Sequence, residues 1–518
     1  MYIRRLFPRL VGAVAVAFWG SAASVGAQSG QPAPVPDQHE QVEADLQVGL
    51  SEAPQAGDEH AGHDMGSMMR EGSGTSWLPD SSPMYAVHRQ KGAWTLMAHE
   101  NAFLQFLHES GRRGDDQAGS INWIMGMAQR SVGTGHLGLR GMFSFEPWTI
   151  RGCGYPDLLA SGEQCHGEKI HDRQHPHDFS MEISAEYDAP VAGDVRWQVF
   201  AAPAGEPALG PVAYPHRVSA TPNPLAPMTH HWLDSTHISF GVVTGGLYGK
   251  RWKAETSAFN GREPDERRTD FDFGALDSVS GRLWFLPTAN LAFQVSAGRL
   301  PEAEAAEGAG PRVDVTRATA SATYHTMFRE NSIWATTLAW GRNAETDHAT
   351  NALLLETNLT FDEQDTWFGR FEVAGKTAHD LDVATVSQAF TVARLQGGYT
   401  RYLDAARGFT PGLGMTLSAG IVPKELEAAY GRRVNVGVGV FATFRPALSA
   451  TGAAAAPAGH TMVMTATDPA KLTCPTPVDA TTASKTMYNG TTYYFCSDRD
   501  RDGFLKDPAM NVAMMPKQ

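Results

Sequence analysis

The chain has 518 residues and a formal net charge of −14. This acidic balance excludes a nucleic-acid surface, which needs a concentrated basic face, and the length suits one large barrel with appendages. Beyond the N-terminal run, no stretch approaches the ~20 apolar residues of a membrane helix, which excludes an inner-membrane protein. A secreted or periplasmic protein and an outer-membrane barrel remain, because only helices and closed barrels satisfy the backbone in lipid.

Residues 1–27 are predicted to be a secretory signal peptide. Arg4, Arg5 and Arg9 precede the apolar run 10–19, and small residues lead to Ala27. A basic start, an apolar centre and a small-residue end are the three parts of such a signal. We expect cleavage after Ala27 and export of the remainder.

Residues 28–91 are predicted to be a disordered periplasmic leader, since the segment is dominated at its start by Pro, Gly, Ala, Gln and acidic residues. Thioethers favour Cu(I) and imidazoles accept Cu(II), Zn or Ni, so a mixture of the two suits copper best. The alternative is a flexible linker without metal affinity. The leader carries these candidate ligands: His60, His63, Met65, Met68 and Met69.

Residues 92–446 alternate repeatedly between apolar and polar positions, with turn residues between the segments. Val434–Phe444 is the clearest case, with valines at every second position and Asn, Gly or Thr at most of the others. Successive side chains of a strand point to opposite faces, so such a segment has one oily and one polar face. We predict an all-β protein: a transmembrane, antiparallel, up-and-down β-barrel of about 14–16 strands that Val434–Phe444 closes. A soluble two-sheet protein is the alternative, because alternation alone does not separate lipid-facing from core-facing positions.

Charged residues fall on the predicted inner face of these strands with mixed signs. They would either line a wet pore or pair with one another and fill the lumen, and the sequence leaves both open. The residues are Arg140, Glu146, Arg196, Arg282, Glu356, Arg370, Glu372 and Arg394.

Two long insertions interrupt the strands, and the first, 147–178, contains Cys153 and Cys165. Two cysteines this close in an exported protein are expected to form a disulfide, because the compartment is oxidising. Closing so short a loop would stabilise it by ~3 kcal/mol in the chain-entropy model.

Histidines gather in both insertions. In an extended segment His175 and His177 project from one face and form a half-site for a metal. If both insertions fold into the barrel mouth, a multi-histidine site results. The interpretation that the sequence favours is polar loop packing, with imidazoles bonded to carbonyls and carboxylates, because neither loop completes a tight ligand spacing. The first insertion holds His171, His175 and His177; the second, 203–234, holds His216, His230 and His231, and His237 starts the next strand.

The C-terminal part consists of a low-complexity linker, 447–466, and an appendage, 467–512. The linker ends with a second small cluster, His460, Met462 and Met464. The appendage resembles the YHS domain, a module related to the TRASH metal-binding family. This resemblance implies a small α+β fold of the kind often attached to copper and other heavy-metal proteins. It depends on Thr473-Cys474-Pro475, Val478-Asp479, Tyr488-Asn489-Gly490, Thr492 to Ser497, Arg501-Asp502, Phe504 and Asp507-Pro508, in that order.

The resemblance implies that Cys474 and Cys496 are metal ligands. The family usually has Cys-Gly-Met at the first position, where this chain has Cys474-Pro475-Thr476, and often a further Cys or His after the second cysteine, where it has Asp498-Arg499-Asp500. A four-ligand soft site is therefore incomplete unless a residue of the linker cluster folds back. A disulfide between Cys474 and Cys496 is the competing interpretation in an oxidising compartment.

The run Met68-Met69-Arg70-Glu71-Gly72-Ser73-Gly74-Thr75-Ser76-Trp77-Leu78-Pro79, with the barrel after it, resembles an uncharacterised group of bacterial outer-membrane proteins that accompany copper-resistance systems. The chain lacks a Gly-x-Ser-x-Gly elbow and a His-Glu-x-x-His motif, so we expect no enzyme.

The expected function is heavy-metal binding, transport or resistance at the outer membrane, with copper as Cu(I) or Cu(II), and with leader and YHS-like module in the periplasm. The expected partners are outer-membrane lipid, the metal ion and periplasmic copper-resistance proteins, and no nucleic acid. The alternative is a passive porin or structural barrel whose YHS-like module is a protein-interaction appendage.

Overall fold

The computed structural model describes residues 70–150, 153–160, 163–304, 312–328, 331–346, 348–383, 389–406, 408–447, 465–466, 484–488, 491–495, 501 and 504. All of them belong to one compact unit, His63–Gln518. The predicted signal peptide, both His/Met segments and the two C-terminal cysteines lie outside the described residues.

The described chain is mostly β-structure. Its strands are β1 Val87–Lys91, β2 Trp94–Glu109, β3 Asp116–Val132, β4 Gly135–Phe143, β5 Tyr155–Pro156, β6 Glu163–Cys165, β7 Lys169–Asp172, β8 Ser180–Ala192, β9 Val195–Gly205, β10 Ser239–Tyr248, β11 Trp252–Phe259, β12 Ser278–Thr288, β13 Leu291–Glu304, β14 Val313–Phe328, β15 Ser332–Ala344, β16 Ala349–Phe361, β17 Asp365–Lys376, β18 Phe390–Tyr402, β19 Phe409–Ile421, β20 Val434–Pro446, β21 Thr465–Ala466, β22 Ser484–Tyr488 and β23 Thr491–Phe495. Short helices cover Glu146–Thr149, His230–Leu233 and Glu427–Tyr430, and 3-10 turns cover Tyr214–His216, Ser235–His237 and Lys424–Leu426.

Sixteen antiparallel strands, β2–β4 and β8–β20, close into a barrel. Each pairs with the next along the chain, β4 pairs with β8 across the first insertion, and β20 returns to pair with β2. The short strand β1 pairs with the first part of β2. The predicted fold and strand number are confirmed, and β20 is the closing strand that the sequence indicated.

The barrel turns its apolar rows outward. Along β20 the valines at 434, 436, 438 and 440 are exposed, whereas the alternating Asn435 and Phe441 are buried at 2% and 5% exposure. On β19, Leu413 and Leu417 are about 60% exposed, at 62% and 60%. Large exposed apolar side chains in continuous rows on a closed sheet are typical of a membrane-spanning barrel and not of a soluble sandwich, whose rows would be covered.

The two ends of the barrel differ. Connections at one end are tight: 133–134, 193–194, 249–251, 289–290 and 362–364. Connections at the opposite end include the long segments 144–179, 206–238, 260–277 and 422–433. Exposed aromatic side chains lie near the tight end, as in the interfacial girdles of such barrels: Trp197, Trp252, Phe285, Phe293, Trp334, Trp367 and Phe444.

No helix in the described part of the chain is long and apolar enough to cross a membrane.

Residues 70–91, which we predicted to belong to the disordered leader, are ordered. Trp77 is 1% exposed and packs in a cluster with Val212, Tyr248 and Trp284. The hydroxyl of Thr75 donates to Glu255, and β1 adds to the sheet. Burying one large aromatic ring among lumen-facing side chains explains why this stretch is held although its neighbours in sequence are polar.

The inner-face charges pair with one another and with the segments inside the lumen, which answers the question that the sequence left open. Arg140 lies 3.3 Å from Glu71, 3.2 Å from Glu182 and 3.1 Å from Glu186. Breaking such a buried pair costs about 3–5 kcal/mol, because one charge is left uncompensated. Four more arginines form buried ion pairs of this kind: Arg282 with Glu206 and Glu255, Arg217 with Asp234 and Glu356, Arg370 with Glu356, and Arg394 with Glu109 and Asp157.

The described part of the C-terminal region is a small antiparallel sheet in the order β21, β23, β22. Tyr493, Phe495 and Phe504 form its apolar cluster. Short strands around an aromatic cluster agree with the compact fold that the sequence resemblance implies.

Candidate metal site

The first insertion is cross-linked. Cys153 and Cys165 form a disulfide with Cα atoms 6.1 Å apart, as predicted. The small sheet of β5, β6 and β7 lies between and after them, and it leads directly into the histidine-rich run. The disulfide therefore restrains the segment that delivers these histidines.

Four imidazole rings from the two insertions meet in the lumen. The ring centroids of His175 and His177 are 4.8 Å apart, and those of His230 and His237 are 5.0 Å apart. The pairs join through His175 and His230 at 5.3 Å and through His177 and His237 at 5.4 Å. We call His175, His177, His230 and His237 the imidazole cluster.

Every ring of the imidazole cluster uses Nδ1 for an oxygen acceptor of the protein. Nδ1 of His175 bonds Asp172 at 2.7 Å, and Nδ1 of His177 bonds Glu146 at 2.9 Å. Nδ1 of His230 bonds the carboxylate of Asp234 and Nδ1 of His237 its backbone carbonyl, both at 2.9 Å. Since carboxylate and carbonyl oxygens only accept, each Nδ1 carries the proton, and Nε2 is the nitrogen left to bind a ligand.

The acceptors are themselves held by the local chain. Asp172 also accepts from the backbone N–H groups of Gln174 and His175, which closes a turn after β7. Glu146, at the start of the short helix that follows β4, accepts from the backbone of His177 at 2.8 Å. Asp234 accepts from Arg217 at 3.1 Å. These bonds fix the orientation of the imidazoles.

Tyr214 lies against all four rings, with centroid distances from 5.6 to 5.9 Å. Its hydroxyl is 2.9 Å from Nε2 of His177. Nε2 of His237 is buried without a hydrogen-bond partner. The cluster thus contains an unsatisfied nitrogen in a buried place, which costs about 1–3 kcal/mol unless a ligand compensates it.

Burial lowers the pKa of His230 and lowers the pKa of His237 well below its usual range, so both rings are neutral. Burial alone would lower the pKa of His175 as well, but the adjacent Asp172 raises it above the ordinary value. Burial would raise the pKa of Asp234, yet Arg217 holds it below its usual range. The cluster therefore combines two neutral imidazoles with a third, His175, that retains its second proton to a higher pH.

A cavity of about 70 Å³ adjoins the imidazole cluster. Residues of the long connection 260–277, among them Glu263 and Arg268, form its other wall. The cavity lies toward the end with long connections, because the segments that line it belong to that end.

The other sequence candidates lie apart from the imidazole cluster or at its edge. Nδ1 of His171 faces the carbonyl of Gly154, and its Nε2 lies 3.0 Å from Asp115. His231 bonds the side chain of Gln174. His60, His63, Met65, Met68, Met69, His460, Met462, Met464, Cys474 and Cys496 fall outside the described residues, so their metal binding stays a prediction.

Two sets of three side chains in the described residues have ligand atoms that all lie within 4.8 Å of one another: Cys165, His166, His171 and Asp265, Asp270, Asp272. The sulfur of Cys165 is in the disulfide and does not ligate as a thiolate. The imidazole cluster does not meet this distance, so its rings must move closer together to share one ion.

The comparisons with known proteins match the C-terminal domain and the barrel separately. Residues 467–512 match the YHS domain family. This confirms the resemblance seen in the sequence at the same residues. No curated protein matches the chain.

Solved porin structures resemble the barrel. The anion-selective porin from Comamonas acidovorans is 10% identical, with 68% of this chain and 99% of the porin covered and a TM-score of 0.42. OmpF from Salmonella typhi in complex with daunomycin is 11% identical, with 69% of this chain and 100% of OmpF covered and a TM-score of 0.43. The outer-membrane channel DcaP of Acinetobacter baumannii is 7% identical, with 69% of this chain and 99% of DcaP covered and a TM-score of 0.39. Because these identities and TM-scores are low, the barrel fold is assigned from the strand pairing of this chain and not from the likeness to porins.

Sequence reasoning missed the role of Tyr214 and the carboxylates behind the rings. A usable signal existed for two of them, because Asp172 precedes His175 by three residues and Asp234 follows His230 by four, spacings at which side chains meet in a turn. No sequence signal joined Glu146 to His177.

Proposed function

We propose that this chain is an outer-membrane barrel protein that binds heavy-metal ions, copper above all, and that the imidazole cluster is one of its binding sites. The observation that carries the proposal is the common arrangement of the four rings, each with Nδ1 bonded to a protein oxygen. Histidines that ligate metals almost always donate their other N–H in this way, which fixes the tautomer and raises the basicity of the ligand.

The donor set fits a borderline transition metal. Imidazole nitrogen suits Cu, Zn and Ni, and among divalent ions such a site binds Cu(II) most tightly. Asp172, Glu146 and Asp234 supply negative charge behind the rings, which offsets the charge of a divalent cation. The hydroxyl of Tyr214 occupies Nε2 of His177, so the ion either displaces it or binds the remaining nitrogens.

The barrel topology supports a placement for the two ends. Outer-membrane barrels have short turns toward the periplasm and long loops outside. On this rule the chain on both sides of the barrel, including the leader and the YHS domain, is periplasmic, and the cavity beside the imidazole cluster faces outward. The protein then captures ions from outside and holds them in the lumen, by binding and without catalysis.

Metal analysis of the full chain, purified from outer membranes in detergent, tests the proposal. The variant His175→Gln/His230→Gln should bind one equivalent less of Cu²⁺ or Zn²⁺ than the unchanged protein, with other bound ions retained. His108→Gln is the matched control, since His108 also has Nδ1 bonded to a carboxylate, that of Asp116, but is exposed and outside the cluster. Equal stoichiometry in both variants would remove the imidazole cluster from the proposal.

The alternative function, a passive porin, is disfavoured by the lumen. The arginines and carboxylates that would line a water-filled pore are paired and buried, among them Arg282 at 1% and Arg370 at 3% exposure. Reconstituted conductance that is large and indifferent to copper would favour the porin.

A further inference from the structure

One imidazole and two thioether side chains lie on the inner face of the barrel, in a row that crosses three strands. In the register of β2, β3 and β4, His99 is opposite Met125, and Met125 is opposite Met142. The next row places Met97 opposite Met127. Met125, Met127 and Met142 belong to a buried apolar cluster that also contains Trp123 and Phe240, and Met97 packs against it.

The second insertion covers this row with one imidazole. Nε2 of His216 lies 3.3 Å from Sδ of Met142, and the rings of His216 and His99 have centroids 5.4 Å apart. The indole of Trp123 lies against both rings, at 4.8 and 5.1 Å. Two imidazoles and a thioether therefore meet in an enclosed place beside an aromatic wall.

The cluster is buried, and its hydrogen bonding is incomplete. Met125 and Met142 are 0% and 3% exposed, and Nε2 of His99 is buried without a partner. The hydrogen-bond partner of Nε2 of His216 is the sulfur of Met142, and a thioether sulfur is only a weak partner. A ligand that bound Nε2 of His99 would relieve the cost of about 1–3 kcal/mol for that unsatisfied nitrogen.

We propose that His99, His216 and Met142, with Met125 beside them, form a site for a soft monovalent cation such as Cu(I). Thioether and imidazole donors without carboxylates select Cu(I), whereas the imidazole cluster with its carboxylates suits divalent ions. Metal bonds of about 2.0 Å to nitrogen and 2.3 Å to sulfur place two ligands of one tetrahedral ion about 3.5 Å apart. The distance of 3.3 Å between Nε2 of His216 and Sδ of Met142 agrees with that value. The inference deepens the proposed function by naming a second ion and its site.

The two sites are neighbours through the chain. Tyr214 contacts the imidazole cluster and His216 contacts the thioether row, with Pro215 between them in one 3-10 turn. A cavity of about 20 Å³ is lined by Trp123, His177 and Tyr214, among other residues. A single turn of the second insertion thus links both sets of ligands.

Apolar packing is the competing explanation, because methionine readily fills irregular gaps. A Met→Leu substitution distinguishes apolar packing from Cu(I) binding. It conserves volume and usually costs under about 1.5 kcal/mol in stability, but it removes the sulfur. The test uses the full chain in detergent, loaded with Cu(I) under reducing conditions and titrated with a competing Cu(I) chelator.

The variant Met125→Leu/Met142→Leu should lose one equivalent of Cu(I) or weaken its binding at least tenfold, and should bind Cu²⁺ and Zn²⁺ unchanged. Met415→Leu is the matched control, because Met415 is lipid-facing and 53% exposed. His99→Gln/His216→Gln should reproduce the loss, which keeps the test decisive if the leucine variant fails to form a barrel.

Cu(I) binding by both variants that equals the binding of Met415→Leu would overturn the inference. That result would leave the imidazole cluster untouched, since its own test uses divalent ions and other histidines. Conversely, a failed test of the imidazole cluster leaves the Cu(I) result standing.

Discussion

The hydroxyl of Tyr214 lies 2.9 Å from Nε2 of His177, the nitrogen that would bind a metal ion. Nδ1 of the same ring already bonds Glu146 at 2.9 Å, so both nitrogens of His177 are engaged. Tyr214 thus competes with an ion for one of the four rings.

Replacing this tyrosine by Tyr214→Phe should tighten Cu²⁺ binding. The hydrogen bond to be broken is worth about 0.5–1.5 kcal/mol, which corresponds to an affinity gain of about two- to tenfold. Competition titration with a chelator measures the change. Weaker binding in the variant would mean that the phenolic oxygen is itself a ligand.

Metal binding at the imidazole cluster should release a proton from His175. The raised pKa of His175 means that this ring retains its second proton to a higher pH, whereas His230 and His237 are already neutral because their pKa values are lowered. The affinity of the cluster for the metal ion should therefore fall as the pH drops through the pKa of His175, because the ion must then displace a proton from that ring. Calorimetry in buffers of different ionisation enthalpy counts the proton, and His175→Gln should abolish its release.

The N-terminal segment around Trp77 should keep the lumen closed. Trp77→Ala removes the ring that packs with Tyr248 and Trp284 and should cost about 3–5 kcal/mol of the packing that holds the segment in place. We expect larger single-channel conductance in planar bilayers. Trp367→Ala, at a lipid-facing site that is 57% exposed, serves as the control and should leave conductance unchanged.

The outward apolar rows should tolerate no charge at membrane depth. Leu417→Arg in β19 should lower the free energy of unfolding by about 2–4 kcal/mol if the position is near the bilayer midplane, because a cation is then placed in hydrocarbon. Leu403→Arg, just after β18 at the tight end and 51% exposed, should cost far less. Denaturant titration of the barrel folded into lipid vesicles compares them. Equal costs would contradict the lipid-facing assignment.

The charged residues of the inner face show what the alternation along a strand predicts and what it does not predict. Alternation placed Arg140 and Glu356 on the inner face, and both are buried there. Whether such residues meet water or one another depends on what else enters the lumen. Glu71 and Arg217, which come from the N-terminal segment and the second insertion, supply part of the pairing.

The sequence by itself determined the strands, the closing role of β20, the disulfide between Cys153 and Cys165 and the YHS domain. The physical reason is that a side chain's face in a strand follows from its position parity, and that short-range cysteines and motifs need no knowledge of distant contacts. Only the tertiary structure decided that the insertions enter the lumen, that His175 and His237 share one cluster, and that His216 covers Met142. These contacts join segments far apart in the chain, and their formation depends on how a closed ring of strands packs around its own loops.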